Sequence, residues 1–214
     1  MKARGFTLVE LLVAIAVLAI VAVLGWRGLD GIIRSRESLS SQMEQTRGMQ
    51  LAFAQMESDF VHLAPQADLN NRPNLLADTD RLTIVREVFA ENDATRLQVV
   101  SYRVRDGVLT RRESASTRDL VQLDALWQAA LNDTDPAPSV TLQAGVSGMA
   151  LRLWKNDGWR STTSGAAQQQ TPVTVTPPLA LPVNNPNVPT GLEVALQLQG
   201  QETAMIKIFL LGAI

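Results

Sequence analysis

The chain has 214 residues, 46% hydrophobic and 19% charged, which fits one folded domain with an appendage and argues against disorder. A formal net charge of −2 lacks the basic excess that phosphate backbones demand, so nucleic acid is not an expected partner. Cysteine is absent and histidine occurs once, at His62, which removes disulfides, thiolate metal sites, cysteine nucleophiles and histidine-based triads but leaves carboxylate chemistry open.

Hydrophobicity is concentrated at the N-terminus. Residues Phe6 to Trp26 form a 21-residue run whose single charge is Glu10. A helix needs roughly 20 apolar residues to cross a bilayer. Lys2 and Arg4 precede the run and Arg27 follows it, so a basic cytoplasmic end and a translocated remainder are expected. A cleaved secretory signal, with Ala14-Ile15-Ala16 as the cut, is disfavoured because the apolar run continues well past that site. A plain uncleaved anchor leaves Glu10 unexplained. A carboxylate at that depth costs on the order of 2–3 kcal/mol and points to a function.

The helical pattern continues beyond the run, weakened by Gly25, Gly28 and Gly31, where a gentle bend is expected. Leu39, Met43, Thr46, Met49, Phe53, Met56, Phe60 and Leu63 recur every three or four residues. That stripe predicts an amphipathic helix packed on the protein's own sheet. Asp30 and Arg34 add an i,i+4 pair, and Pro65 ends the element. One helix from Phe6 to about Leu63 would be on the order of 85 Å long.

Residues 64–80 read as an Asn-, Asp- and Pro-rich loop. Strands are expected over 82–89, 96–105 and 108–112, the last two joined by an Asp106-Gly107 hairpin turn. Gln98, Val100, Tyr102 and Val104 share one strand face. Asp119 to Leu131 reads as a short helix or an irregular segment. Further strands are expected around Met149, Leu151 and Leu153, over 192–199 and over 204–211, with turns at Asn156-Asp157-Gly158 and Gly200-Gln201. Ser161 to Gly191 carries no charge and holds six of the ten prolines, which predicts a long irregular loop.

The head offers little chemistry. Asn132, Asp133 and Asp135 match no calcium-loop spacing and read as a solvated loop. His62 reads as part of a helix end, Arg111-Arg112 as an exposed strand end, and Trp154 with Trp159 as packing around a turn or as a contact surface. No phosphate loop, nucleophile elbow or metal-ligand pair occurs in the sequence, so no cofactor is expected.

Arg4-Gly5-Phe6-Thr7-Leu8-Val9-Glu10 resembles the processing site of type IV pilins and of the pseudopilins of type II secretion. The resemblance implies that a prepilin peptidase cuts between Gly5 and Phe6, that Phe6 is then N-methylated, and that Glu10 serves subunit assembly. There Glu10 would reach the N-terminal amine of a neighbouring subunit, since two such charges removed from water are far less costly together than apart. Trp26 to Asp30, Arg34 to Glu37, Gly145 to Leu153, Asn156 to Trp159, Gly191 to Val194 and Phe209 to Leu211 further resemble the J-type minor pseudopilins. The resemblance implies an α+β pilin-like fold: a long N-terminal helix packed on an antiparallel β-sheet head. The parts would be a cleaved leader (1–5), a transmembrane half-helix (6–26), an amphipathic periplasmic half (27–63) and a β-rich head (64–214) with an irregular loop over 161–191. Implied partners are the I-type and K-type minor pseudopilins, the major pseudopilin, the prepilin peptidase and the inner-membrane assembly platform. The alternatives are a minor pilin of a type IV pilus and a membrane-anchored periplasmic binding protein.

Overall fold

The computed structural model describes residues 7–91, 93–155, 158–162 and 188–211. The Gly5–Phe6 junction, most of the 161–191 loop and the first two residues of the 156–158 turn therefore lie outside the described residues. The chain divides into two compact units, Met1–Arg47 and Gly48–Ile214, each taken by itself below.

Helix α1 (Leu8–Val61) runs unbroken through Gly25, Gly28 and Gly31. In the first unit its large apolar side chains from Leu8 to Ile33 are all exposed, and Asp30 pairs with Arg34 at 2.6 Å. The expected amphipathic stripe is therefore buried only in part. Leu39, Met43 and Thr46 are exposed, whereas Met49, Ala52, Phe53, Met56 and Phe60 are buried.

The second unit holds two antiparallel sheets rather than one. The first is ordered β1 (Leu75–Asp78), β2 (Arg81–Val88), β3 (Arg96–Arg105), β4 (Val108–Glu113), β5 (Ser139–Ala144). The second is ordered β7 (Gly158–Ser161), β6 (Val146–Lys155), β8 (Gly191–Leu198), β9 (Met205–Leu210). Strand β1 corrects the expected loop over 64–80, neither β5 nor β7 was expected, and β7 takes in Gly158 of the expected turn and Ser161 of the expected loop. β1 is a four-residue edge strand in a turn-rich stretch, and β5 buries few side chains, so neither shows a clear alternation. The β3–β4 turn has positive φ at both Asp106 (51°) and Gly107 (75°), the geometry that suits a two-residue hairpin between twisted strands.

Strand β3 is buried on both faces and separates two cores. Val100 and Tyr102 join Met49, Phe53, Met56 and Phe60 of α1 and the inward residues of β6 and β8. Met149, Leu151 and Leu153 of β6 face that core, as their alternation predicts. On the opposite face, Val85 and Val99 pack on Leu123, Trp127 and Ala130 of helix α2 (Leu120–Leu131). Asp119 caps α2 by accepting the Val121 N–H at 2.8 Å. Asp80 ties the two sheets together, since its carboxylate accepts the Met149 N–H at 3.1 Å.

Candidate functional site

The first candidate lies at the start of α1. Thr7 precedes the helix, and Glu10 occupies its third position. The Thr7 N–H and hydroxyl both donate to Glu10 Oε2 at 3.0 Å, and the Glu10 N–H donates to Thr7 Oγ1 at 3.3 Å. This is a reciprocal capping box, which supplies partners to helix-end amides that would otherwise lack them. Threonine followed three residues later by glutamate is its sequence signature, unused in the reading above. Glu10 therefore has partners within its own first helical turn. The same helix contains an 18-residue window apolar enough to cross a bilayer, none of it buried in the protein.

The second candidate is a charged cluster inside the head. Asp59 is fully buried and accepts from Arg111 Nε at 2.8 Å, from Arg111 Nη2 at 3.0 Å and from Arg86 Nη1 at 2.7 Å. The Tyr102 hydroxyl also donates to it. Glu113 joins the periphery, accepting from Arg111 at 2.7 Å, while Gln98 accepts two bonds from Arg86. Arg111 is thus buried, at 8% exposure, and not the exposed strand end expected. A cross-strand position on a pleated sheet hid this, because only the helix packed above it supplies the counter-charge. The signal that could have found it is Asp59 itself: a carboxylate between Met56 and Phe60 on an apolar stripe needs a cation. Burial, then the Asp59 charge, hold the Tyr102 hydroxyl well above its usual range, so it remains a donor. Burial pulls Arg111 down, but its bonds to Asp59 and Glu113 outweigh that and raise it. This cluster joins α1 to the first sheet.

The remaining expected residues are accounted for individually. His62 follows the last turn of α1; its ring lies 2.8 Å from the Ser58 carbonyl and its own carbonyl accepts the Glu87 N–H. Trp154 and Trp159 are a cross-strand pair, edge to face at 5.3 Å, with Arg152 over the Trp159 ring. Asp133 is not a free calcium donor, because Arg103 and Arg105 both hold it. Edge strand β9 presents Ile206, Ile208 and Leu210 outward, while Lys207, on its opposite face, pairs with Glu57 of α1 at 2.9 Å.

Comparison with known proteins bears on both ends of the chain. Residues 1–26 match the prokaryotic N-terminal methylation motif, and residues 27–210 match the family described as type II secretion system protein J. A type II secretion system protein J of Klebsiella pneumoniae is 25% identical over 92% of this chain and 90% of its own length. One from Escherichia coli is 28% identical over 80% of this chain and 86% of its own length. Among solved structures, a chain in the GspK-GspI-GspJ complex of enterotoxigenic Escherichia coli shares the fold, with a TM-score of 0.51 at 16% identity, covering 79% of this chain and 99% of that one. A pilin-like α+β head behind an apolar helix, together with a family match that begins where the methylation motif ends, places the chain in the type II secretion system protein J family of minor pseudopilins.

Proposed function

We propose that this chain is a structural subunit of the pseudopilus. In this reading a prepilin peptidase cuts between Gly5 and Phe6 and methylates the new Phe6 amine, so the chain is that enzyme's substrate and not itself an enzyme. Residues 6–26 span the inner membrane with the N-terminus in the cytoplasm, and residues 27–214 lie in the periplasm. The subunit joins I-type and K-type minor pseudopilins at the fibre tip, above the major pseudopilin added by the inner-membrane assembly platform. That tip initiates the fibre that drives protein export across the outer membrane.

The observation that carries this reading is the join of two matches at residues 26 and 27, the methylation motif before it and the protein J family after it. The capping box adds a physical reason for Glu10. Its carboxylate has partners of its own while the subunit waits in lipid, which lowers the cost of holding it there. On assembly it exchanges those bonds for a neighbour's amine. The exposed apolar row of β9 is a second surface suited to subunit contact.

The test is intact-mass and N-terminal peptide analysis of protein taken from its native membrane. A chain beginning at N-methylated Phe6 supports the reading. Retention of residues 1–5 in cells with an active prepilin peptidase refutes it.

A further inference from the structure

The outer face of the first sheet carries more positive charge than its own carboxylates neutralise. Arg81 and Arg103 reach the carbonyl of Leu131 at the C-terminal end of α2, at 2.8 and 3.2 Å. Arginine there complements the helix dipole, which explains part of each guanidinium. Arg112 donates to the Asp135 carbonyl at 3.3 Å. Arg103 and Arg105 converge on one carboxylate, Asp133. Burial first, and then the like charges of Arg81, Arg105 and Arg112, hold Arg103 below its usual value against the opposing charge of Asp133.

Two donors in this group remain unused. The Nε atoms of Arg103 and Arg112 are buried and have no hydrogen-bond partner among the described residues. A buried charged donor without an acceptor is costly, so these two nitrogens, closed to solvent, mark how crowded with positive charge this face is. Beside these arginines lies a cleft of about 290 Å³, lined by Arg103, Arg105, Arg112, Asp133 and the hydroxyl residues Ser101 and Thr110. Asp106 of the β3–β4 turn stands at its edge and is exposed. The volume is at the lower limit for a small-molecule pocket but suits a carboxylate side chain and its stem. Guanidinium forks bind such planar oxyanions in pairs, as Asp133 already shows on these arginines.

We infer that this cleft is a docking site for an acidic segment of a protein partner, whose Asp or Glu carboxylate enters beside Asp133 and pairs with the exposed guanidinium of Arg105, drawn there by the positive charge of Arg103 and Arg112 in the cleft wall. Asp133 is then a resident competitor. Removing its charge should strengthen binding, the opposite of what a merely structural arginine cluster predicts. The inference does not depend on which filament the chain joins.

The test uses the full chain in a neutral detergent, titrated with a fluorescein-labelled hexaglutamate peptide and read by anisotropy at low salt. The chain's net negative charge works against non-specific capture of that peptide. Arg105 is the most exposed of the group, so Arg105→Glu tests charge without disturbing the fold. It should weaken binding about tenfold or more, and Asp133→Asn should tighten it about threefold. Inorganic phosphate should displace the peptide only at high ionic strength. Thermal melts of both variants check that the head remains folded. Three results overturn the inference: no saturable binding, equal affinity in all three proteins, or displacement by phosphate at concentrations matching the peptide, which would identify a free-anion site instead.

Discussion

Replacing Asp59 with alanine is the most informative single change in the head. Asp59 is completely buried, and its two oxygens accept from Arg111, Arg86 and Tyr102. Alanine leaves the Arg111 guanidinium, at 8% exposure, with Glu113 alone, and leaves the buried Tyr102 hydroxyl without its acceptor. Removing one partner of a buried ion pair costs about 3–5 kcal/mol, because the remaining charge stays desolvated. Glu113 is about half exposed and still reaches both arginines, so the lower end, ~3 kcal/mol, is expected. For a folded unit of this size that corresponds to a fall in Tm of about 6–12 °C. Arg111→Met should cost less, about 1–2 kcal/mol, because Asp59 then keeps Arg86 and Tyr102. The assay is a thermal melt of the detergent-solubilised full chain followed by near-ultraviolet circular dichroism, which reports Tyr102 and Trp127 in the head. An Asp59→Ala melt within about 2 °C of the parent, or a larger loss for Arg111→Met, would refute the view that Asp59 is the centre of the cluster.

At the N-terminus, Glu10→Leu should leave the chain in the membrane yet abolish its co-purification with partner pseudopilins; normal co-purification would count against an assembly role. Thr7→Val should remove the capping box and cost about 1 kcal/mol at the first turn, seen as faster amide exchange at residues 8–10 in bicelles, whereas Thr7→Ser should behave like the parent. Burial raises the Asp133 carboxyl, but the Arg105 hydrogen bond and the charges of Arg103 and Arg105 hold it below the usual carboxylate range. Its contribution to stability is therefore present above about pH 4 and is lost as pH falls through the lower folded-state value. Asp133→Asn should flatten the acid limb of a Tm-against-pH curve; an unchanged limb would show that the pairing contributes nothing. Gly107→Ala forces a side chain into positive φ and should cost about 1 kcal/mol in the same melt, with no cost if the turn can change type.

The comparison of pattern with structure is uneven for physical reasons. Periodicity of 3.6 marked the last turns of α1, from Met49 to Phe60, and alternation marked β6 and β8, because each of these stretches turns one face to the core and the other away from it. The Asp106-Gly107 dipeptide marked its hairpin because few residues accept two consecutive positive φ angles. Strands β1, β5 and β7 escaped because they are edge elements held by a neighbour's backbone, and backbone pairing leaves little trace in side-chain identity. Leu39 and Met43 continue the apolar period without being buried in this chain, so period alone could not locate where packing begins.

By itself, then, the sequence determined the apolar N-terminal helix, its basic flank, the lone glutamate within it and the β-rich character of the head. These are local properties, set by composition and by spacing along one element. Tertiary structure alone decided that the strands divide into two sheets, that α1 and α2 cover opposite faces of the first, and that Asp59 meets Arg111 52 residues further on. It also decided that four arginines from three strands gather beside the end of α2. Such pairings depend on which elements pack together. A charge's partner is chosen by that packing, whereas the need for a partner is already written in the residue.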